Sequence, residues 1–212
     1  MDVAEEYINA VMRNIHAPAG ERQRIESDLR AHLGEAIQAG QAPREAIAHL
    51  GSPLEVAAEF MSQVRLVYAG FWLRLAAFFI DMSLIILVAG VLAVLAIWLS
   101  NRVPQSPQGL DYLGGAVLIA LVVGCALAAV GVILLYFPIL EGRFGRTPGK
   151  RLFGLYVLKE SGLPIGYKEA FLRRISYYFE VLPVDALFIF FTARRQRAFD
   201  IVARTVVVRI CD

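Results

Sequence analysis

The sequence predicts a mainly α-helical membrane fold. It has a soluble N-terminal helical bundle, two transmembrane helices, a third apolar element broken by proline, and a small cytoplasmic β-hairpin. Three observations carry this reading. The chain is 58% hydrophobic and only 19% charged, whereas soluble domains carry about 25% charge. Its charge is divided: residues 1–66 hold ten acids and six bases, net −4, and residues 67–212 hold nine acids and fifteen bases, net +6. Two long apolar runs lie in the second part. The division gives a cytoplasmic domain at 1–66 and a membrane domain at 67–212.

The N-terminal part reads as four short helices. Tyr7, Ile8, Val11, Met12 and Ile15 fall at helical spacing, and Pro18-Ala19-Gly20 breaks the stripe. Ile25, Leu29, His32, Leu33 and Ile37 form the next stripe, with Gly40 at its end. Pro43 to Leu50 makes a third helix that stops at Gly51. Ser52 then caps a fourth, with Pro53 at its first position and Glu55 at its third, the pattern of a capping box. Charges such as Arg22, Arg24, Glu26, Asp28 and Arg30 are the solvated side of this bundle. The acidic start has no apolar h-region after it, so the N-terminus is expected to stay where it is made. The Tyr-Ile-Asn-Ala-Val start, the acid-rich second helix and the run Ala46-Ile47-Ala48-His49-Leu50-Gly51-Ser52-Pro53-Leu54-Glu55-Val56-Ala57 together resemble the HAAS signalling domain. That resemblance implies a cytoplasmic docking module.

Residues 75–99 contain fifteen Leu, Ile, Val or Phe and one acid, Asp81. A central Asp costs about 2.5–3.5 kcal/mol to insert, while the fifteen apolar residues contribute about 5–9 kcal/mol. Insertion wins. Residues 113–140 carry no charge at all, and about 20 apolar residues span the hydrocarbon core. The loop between the spans holds one base, Arg102, and the loop from Glu141 to Arg174 holds eight. The charge rule therefore puts the basic loop and the N-terminal domain in the cytoplasm. The basic loop is expected to meet anionic lipid headgroups.

The third apolar element, residues 171–193, contains Glu180, Pro183 and Asp185, and bases follow it. A full crossing would put five bases outside, so a re-entrant hairpin is expected, with the C-terminus cytoplasmic. Leu152–Leu158 and Thr205–Ile210 read as β-strands that pair with each other, with Pro164–Tyr167 as a possible third strand. Pairing needs both on one side.

Asp81 is the charge most in need of a partner, because an acid facing lipid is costly. Arg74 lies two turns away on the same face, about 10 Å along the axis. Arg197 or Arg204 is therefore the expected partner, and snorkelling to headgroup phosphates is an equally good account of Arg74. Glu180 and Asp185 flank the helix break, where backbone groups often bind ions; ordinary ion pairs near the basic loop are the plainer account. The run Gly142 to Arg151, with Arg146 and Lys150, has the wrong spacing for a phosphate-binding loop and reads as a basic turn. The histidines, His16, His32 and His49, lack ligand spacing. Cys125 reads as a small hydrophobe.

Arg74, Asp81, the turn Gly145-Arg146-Thr147-Pro148-Gly149-Lys150-Arg151-Leu152-Phe153-Gly154-Leu155, and the late Arg194-Arg195-Gln196-Arg197-Ala198-Phe199-Asp200 to Thr205-Val206-Val207-Val208 together resemble the RDD family. Its name-giving arginine and two aspartates match Arg74, Asp81 and Asp200. Two positions depart: Phe199 stands where many members have Gly, and Glu180 where many have Asp. The resemblance implies transport, and some members are reported to exchange sodium for protons. On it, Arg74, Asp81 and Asp200 would serve transport, with Arg146, Lys150, Glu180, Asp185, Arg197 and Arg204 in support.

The first expectation is thus a multi-pass transport protein of a bacterial inner or plasma membrane. Its ligand would be a cation or proton. Two spans and a hairpin cannot enclose a pathway, so a homo-oligomer is expected, helped by the small residues Gly114, Gly115, Gly124, Ala126, Ala128, Ala129 and Gly131. The second is a non-transporting signalling or scaffold protein that docks a cytoplasmic partner through its acidic head. No nucleophile–base pair, metal set or cofactor fingerprint points to an enzyme, a metal site or a cofactor, and nothing points to nucleic acid.

Overall fold

The computed structural model describes residues 3–104, 111–179 and 182–210. Four helices form the head: α1 Val3–Met12, α2 Ala19–Gln38, α3 Pro43–Leu50 and α4 Pro53–Gln63. Each turns one apolar stripe inward. Tyr7, Ile8 and Val11 of α1 meet Ile25, Leu29 and Leu33 of α2 and Val56, Ala57 and Met61 of α4 in one buried core. The capping box at the start of α4 is formed: the Glu55 N–H donates to Ser52 Oγ at 3.3 Å, and the Ser52 N–H donates to Glu55 Oε2 at 3.1 Å. The Tyr7 hydroxyl donates to the Gly51 carbonyl at 2.9 Å and so ties α1 to the α3–α4 turn.

Two long helices follow, α5 Phe71–Ser100 and α6 Asp111–Phe144. They pack antiparallel. Each runs beyond the apolar window read from the sequence, and the added turns bring charged residues: Arg74 in the first turn of α5 and Glu141 near the end of α6. Thirty residues of helix extend about 45 Å, so α5 exceeds the roughly 30 Å hydrocarbon core. Only Ala77, Asp81 and Ile85 of α5 are buried. The remaining apolar faces, with Val91, Val94, Leu121 and Leu127, are open.

After α6 the chain makes the short helix α7 Pro148–Leu152 and strand β1 Leu155–Lys159. The strand expectation began too early. Thr147 caps a helical turn through Lys150, and Gly154, at φ +64°, reverses the chain before β1. Helices α8 Tyr167–Leu172, α9 Ile175–Tyr178, α10 Leu182–Phe191 and α11 Ala198–Val202 then lead to β2 Thr205–Arg209. β1 and β2 are antiparallel, with Val157 opposite Val207. Pro164 contributes a single bridge to Leu158 instead of a third strand, and Tyr68 bridges to Val208.

The ten residues of α10 extend about 15 Å, half the hydrocarbon core. The chain then returns, because β2 pairs beside the end of α6. The start of α5, the end of α6, the sheet and α11 therefore share one end of the helix pair. The head joins them there. Leu158, Val206 and Val208 of the sheet are part of the head's own core, and the rings of His16 and Tyr156 lie 5.3 Å apart.

Candidate functional site

Asp81 is fully buried on α5 and accepts three hydrogen bonds, none from a base. The Tyr136 hydroxyl of α6 donates to Oδ1 at 2.9 Å, the Gly149 N–H to Oδ1 at 2.8 Å, and the Thr147 hydroxyl to Oδ2. α7 lies so close to α5 that a Cβ on residue 149 would stand 2.2 Å from the Ala77 carbonyl oxygen. Only glycine permits that approach. The expected base partner is thus corrected: α7 reaches the carboxylate first. Arg204 is exposed in the α11–β2 turn at φ 49°, and Arg197 is engaged elsewhere.

Arg74 is not free to snorkel. Its Nη1 donates to Asp200 Oδ2 at 3.1 Å, its Nε to the Ala69 carbonyl at 3.1 Å, and its Nη2 to the Val207 carbonyl at 3.4 Å. Asp200 also accepts from Arg173 Nε at 2.9 Å, Arg197 Nη2 at 3.4 Å and the Arg197 backbone N–H at 3.2 Å. The last bond caps the short helix α11, so Phe199 in place of glycine leaves the turn intact. The Phe199 N–H donates to Asp185 Oδ1 at 2.9 Å. Burial alone would raise the Asp200 carboxyl, but Arg173, Arg197 and Arg74 outweigh it and hold the group well below the usual carboxylate range.

Arg173 continues the network. It is 1% exposed, and its Nη1 donates to Glu141 Oε2 at 3.2 Å. Glu141 also accepts from Lys150 Nζ at 2.6 Å and Arg174 Nη2 at 2.8 Å. Burial pushes Lys150 down to about 7; Glu141 opposes that shift, and the neighbouring Arg173 and Arg174 add to it. Three bases of the basic loop, Lys150, Arg173 and Arg174, are thus turned inward. Arg143 and Arg151 remain exposed.

The remaining sequence candidates separate. Asp185 is buried and pairs loosely with Arg197, 4.0 Å away. Arg146 lies over the Tyr156 ring at 4.2 Å, on the sheet and away from the network. Glu180 lies outside the described residues. Glu141, Arg173 and Arg174 did not stand out as site residues in the sequence. A signal for them existed: Glu141 closes a 29-residue uncharged run, and the Arg173-Arg174 pair stands near the start of the broken apolar element.

A cavity of about 360 Å³ opens among α5, α6 and α10 beside this network. Phe71, Phe78, Phe137, Leu187 and Phe190 make apolar walls. Arg74, Lys150, Arg173, Arg174 and Arg197 line its polar side, with Asp81 as the sole acid among the described residues there. The Arg174 guanidinium lies 3.4 Å from the centre of the Phe137 ring.

The fold and site define a small membrane protein with a helical head, two long apolar helices and a buried ionic network at one end of them. The chain belongs to the RDD family, whose model matches residues 68–204. The HAAS model matches residues 6–59. No curated protein and no solved structure matches the chain.

Proposed function

We propose that this RDD protein is a transport protein that acts as an oligomer, and that the cavity among α5, α6 and α10 holds its solute. The observation that carries the reading is the cavity itself. It joins apolar walls to a charged floor where both spans end, and binding sites combine those two features. The open apolar faces of α5 and α6 support assembly, since two helices cannot line a pathway by themselves. The cation or proton form of the reading assigns Asp81 the titrating role. Its three donors and the five bases around the cavity weigh against a metal cation there. The charge rule supports a cytoplasmic position for the cavity end of the helix pair.

Proteoliposomes test this. Sodium-coupled pH change and transbilayer movement of labelled lipid would be followed in wild type, Asp81→Asn and Ala186→Trp. Movement in wild type that either substitution abolishes is the expected result. Wild type that matches protein-free vesicles in both assays would end the transport reading.

A second reading, signalling through the head, has its own observation: the head core runs without a break into the sheet that carries Val206 and Val208. A partner docked on the head would act directly on β2. Capture of a cytoplasmic partner by the full chain, lost on Leu54→Asp at an exposed head position, would favour it.

A further inference from the structure

We propose that the cavity binds an anionic phospholipid, with its phosphate on the guanidinium floor and its acyl chains along the aromatic walls. This rests on the transport reading for the cavity's role and names the class of solute it would take.

Charge placement comes first. Among the described residues, five bases and one acid line the cavity. The carboxylates that balance them, Glu141, Asp185 and Asp200, do not line it; they pair with the bases from behind. An entering cation would meet the bases, and an entering anion would meet donors.

Unused donors come second. Arg173 Nη2 and Arg174 Nε are buried and have no hydrogen-bond partner among the described residues, whereas Arg197 Nε faces Asp185 Oδ2 at 4.0 Å. All three side chains line the cavity. A buried guanidinium N–H without an acceptor is costly, and planar guanidinium groups match the oxygens of phosphate. The network already holds three carboxylates and still leaves the Arg173 and Arg174 donors over.

The walls come third. Phe71, Phe78, Leu187 and Phe190 are of no use to free phosphate and suit an acyl chain. α10 presents Phe188 and Phe191 outward beside them, so the cavity adjoins an apolar surface. The exposed bases Arg143, Arg151 and Lys168 supply general attraction to anionic membranes. They lie outside the cavity, so the two modes are separable.

The test uses the full chain in phosphatidylcholine nanodiscs containing phosphatidylglycerol, read by native mass spectrometry. Wild type is expected to retain phosphatidylglycerol over phosphatidylcholine by about tenfold, and Ala186→Trp, which fills the cavity, to lose that preference. The double variant Arg143→Gln/Arg151→Gln is expected to keep it. A diazirine-bearing phosphatidylglycerol crosslinked to wild type reads the site without any substitution, so the test survives a variant that fails to fold. Crosslinks should fall on residues 182–191 and near Phe137. No preference in wild type, a preference that a folded Ala186→Trp retains, crosslinks confined to the outer faces of α5 and α6, or displacement by equimolar inorganic phosphate would each overturn the proposal. Retained lipid with neither transbilayer movement nor ion flux would keep the site and remove the transport reading; ion flux without retained lipid would do the reverse.

Discussion

A methyl group on residue 149 would place a carbon 2.2 Å from the Ala77 carbonyl oxygen and 2.9 Å from Asp81 Oδ1. Ordinary carbon–oxygen contacts are about 3.3 Å or more, so Gly149→Ala must move α7 roughly 1 Å away from α5. The Ala77 oxygen is helical backbone and cannot yield. Overpacking of this kind costs about 1–3 kcal/mol. The move also stretches the 2.8 Å bond from the Gly149 N–H to Asp81, and hydrogen bonds to charged groups are worth about 1.5–3 kcal/mol. The expected loss is therefore about 2.5–6 kcal/mol, a large part of a stability of about 5–15 kcal/mol. Denaturation by SDS titration in mixed micelles measures it. Gly131→Ala in α6 is the control, because nothing lies within 4 Å of the added carbon; it should be neutral or gain up to about 1 kcal/mol from helix propensity. Gly149→Ala within about 0.5 kcal/mol of wild type, or an equal loss at Gly131, would refute the close-approach account of α7.

Three further outcomes follow from the ionic network and the head. Asp200→Asn leaves three guanidiniums with a neutral partner and should cost about 3–5 kcal/mol near neutral pH in the same titration. The Asp200 pKa is depressed in the fold, so its stabilisation is present above the unfolded carboxylate value of about 4 and is lost as pH falls below it; the Asn variant should lack that part of the acid loss. Lys150 is lowered to about 7 from 10.5, so the unfolded chain binds the extra proton between those values. Stability should rise as pH goes from about 7 towards 10.5, and Lys150→Met should flatten the rise. His16 is lowered to about 4, by burial first and then by Arg22 and Arg146. Its neutral form is the one the fold keeps, so packing of the head on the sheet should weaken as pH falls from 6.5 towards 4. His16→Phe should remove that dependence, as read by proteolysis of the head against pH.

The head and the sheet were legible because their signals are local. Ser52 and Glu55 fall three apart and form their capping box, and the two short apolar runs pair in the sheet. Arg74, Asp81 and Asp200 were legible as a set through the family resemblance, but their partners were not. Asp81 was expected to find a base because charge counting treats a hydroxyl and a backbone N–H as silent. The turn that delivers Thr147 and Gly149 to it depends on the α5–α7 approach, a long-range contact. The inward turn of Lys150, Arg173 and Arg174 was hidden for a related reason: a basic loop beside a membrane looks alike whether its bases face lipid or protein. Only Glu141, on the last turns of an apolar helix, decides the matter.

The three signature residues do not form one cluster, and their separation explains the architecture. Arg74 and Asp81 stand seven residues apart on α5, about 10 Å along its axis. Arg74 holds α11 and β2 through Asp200 and the Val207 carbonyl; Asp81 holds α6 and α7 through Tyr136, Thr147 and Gly149. One helix therefore carries two fastening points, one for the end of the chain and one for the turn after the second span. Arg173 connects them from outside by joining Asp200 to Glu141, and the cavity lies in the triangle so enclosed. A ligand there would touch Arg173, Arg174 and Arg197 at once, and through them the C-terminal strand packed on the head. Such binding would be coupled to the position of the head through Asp200, because the same carboxylate holds two bases that line the cavity, Arg173 and Arg197, and sits within five residues of β2.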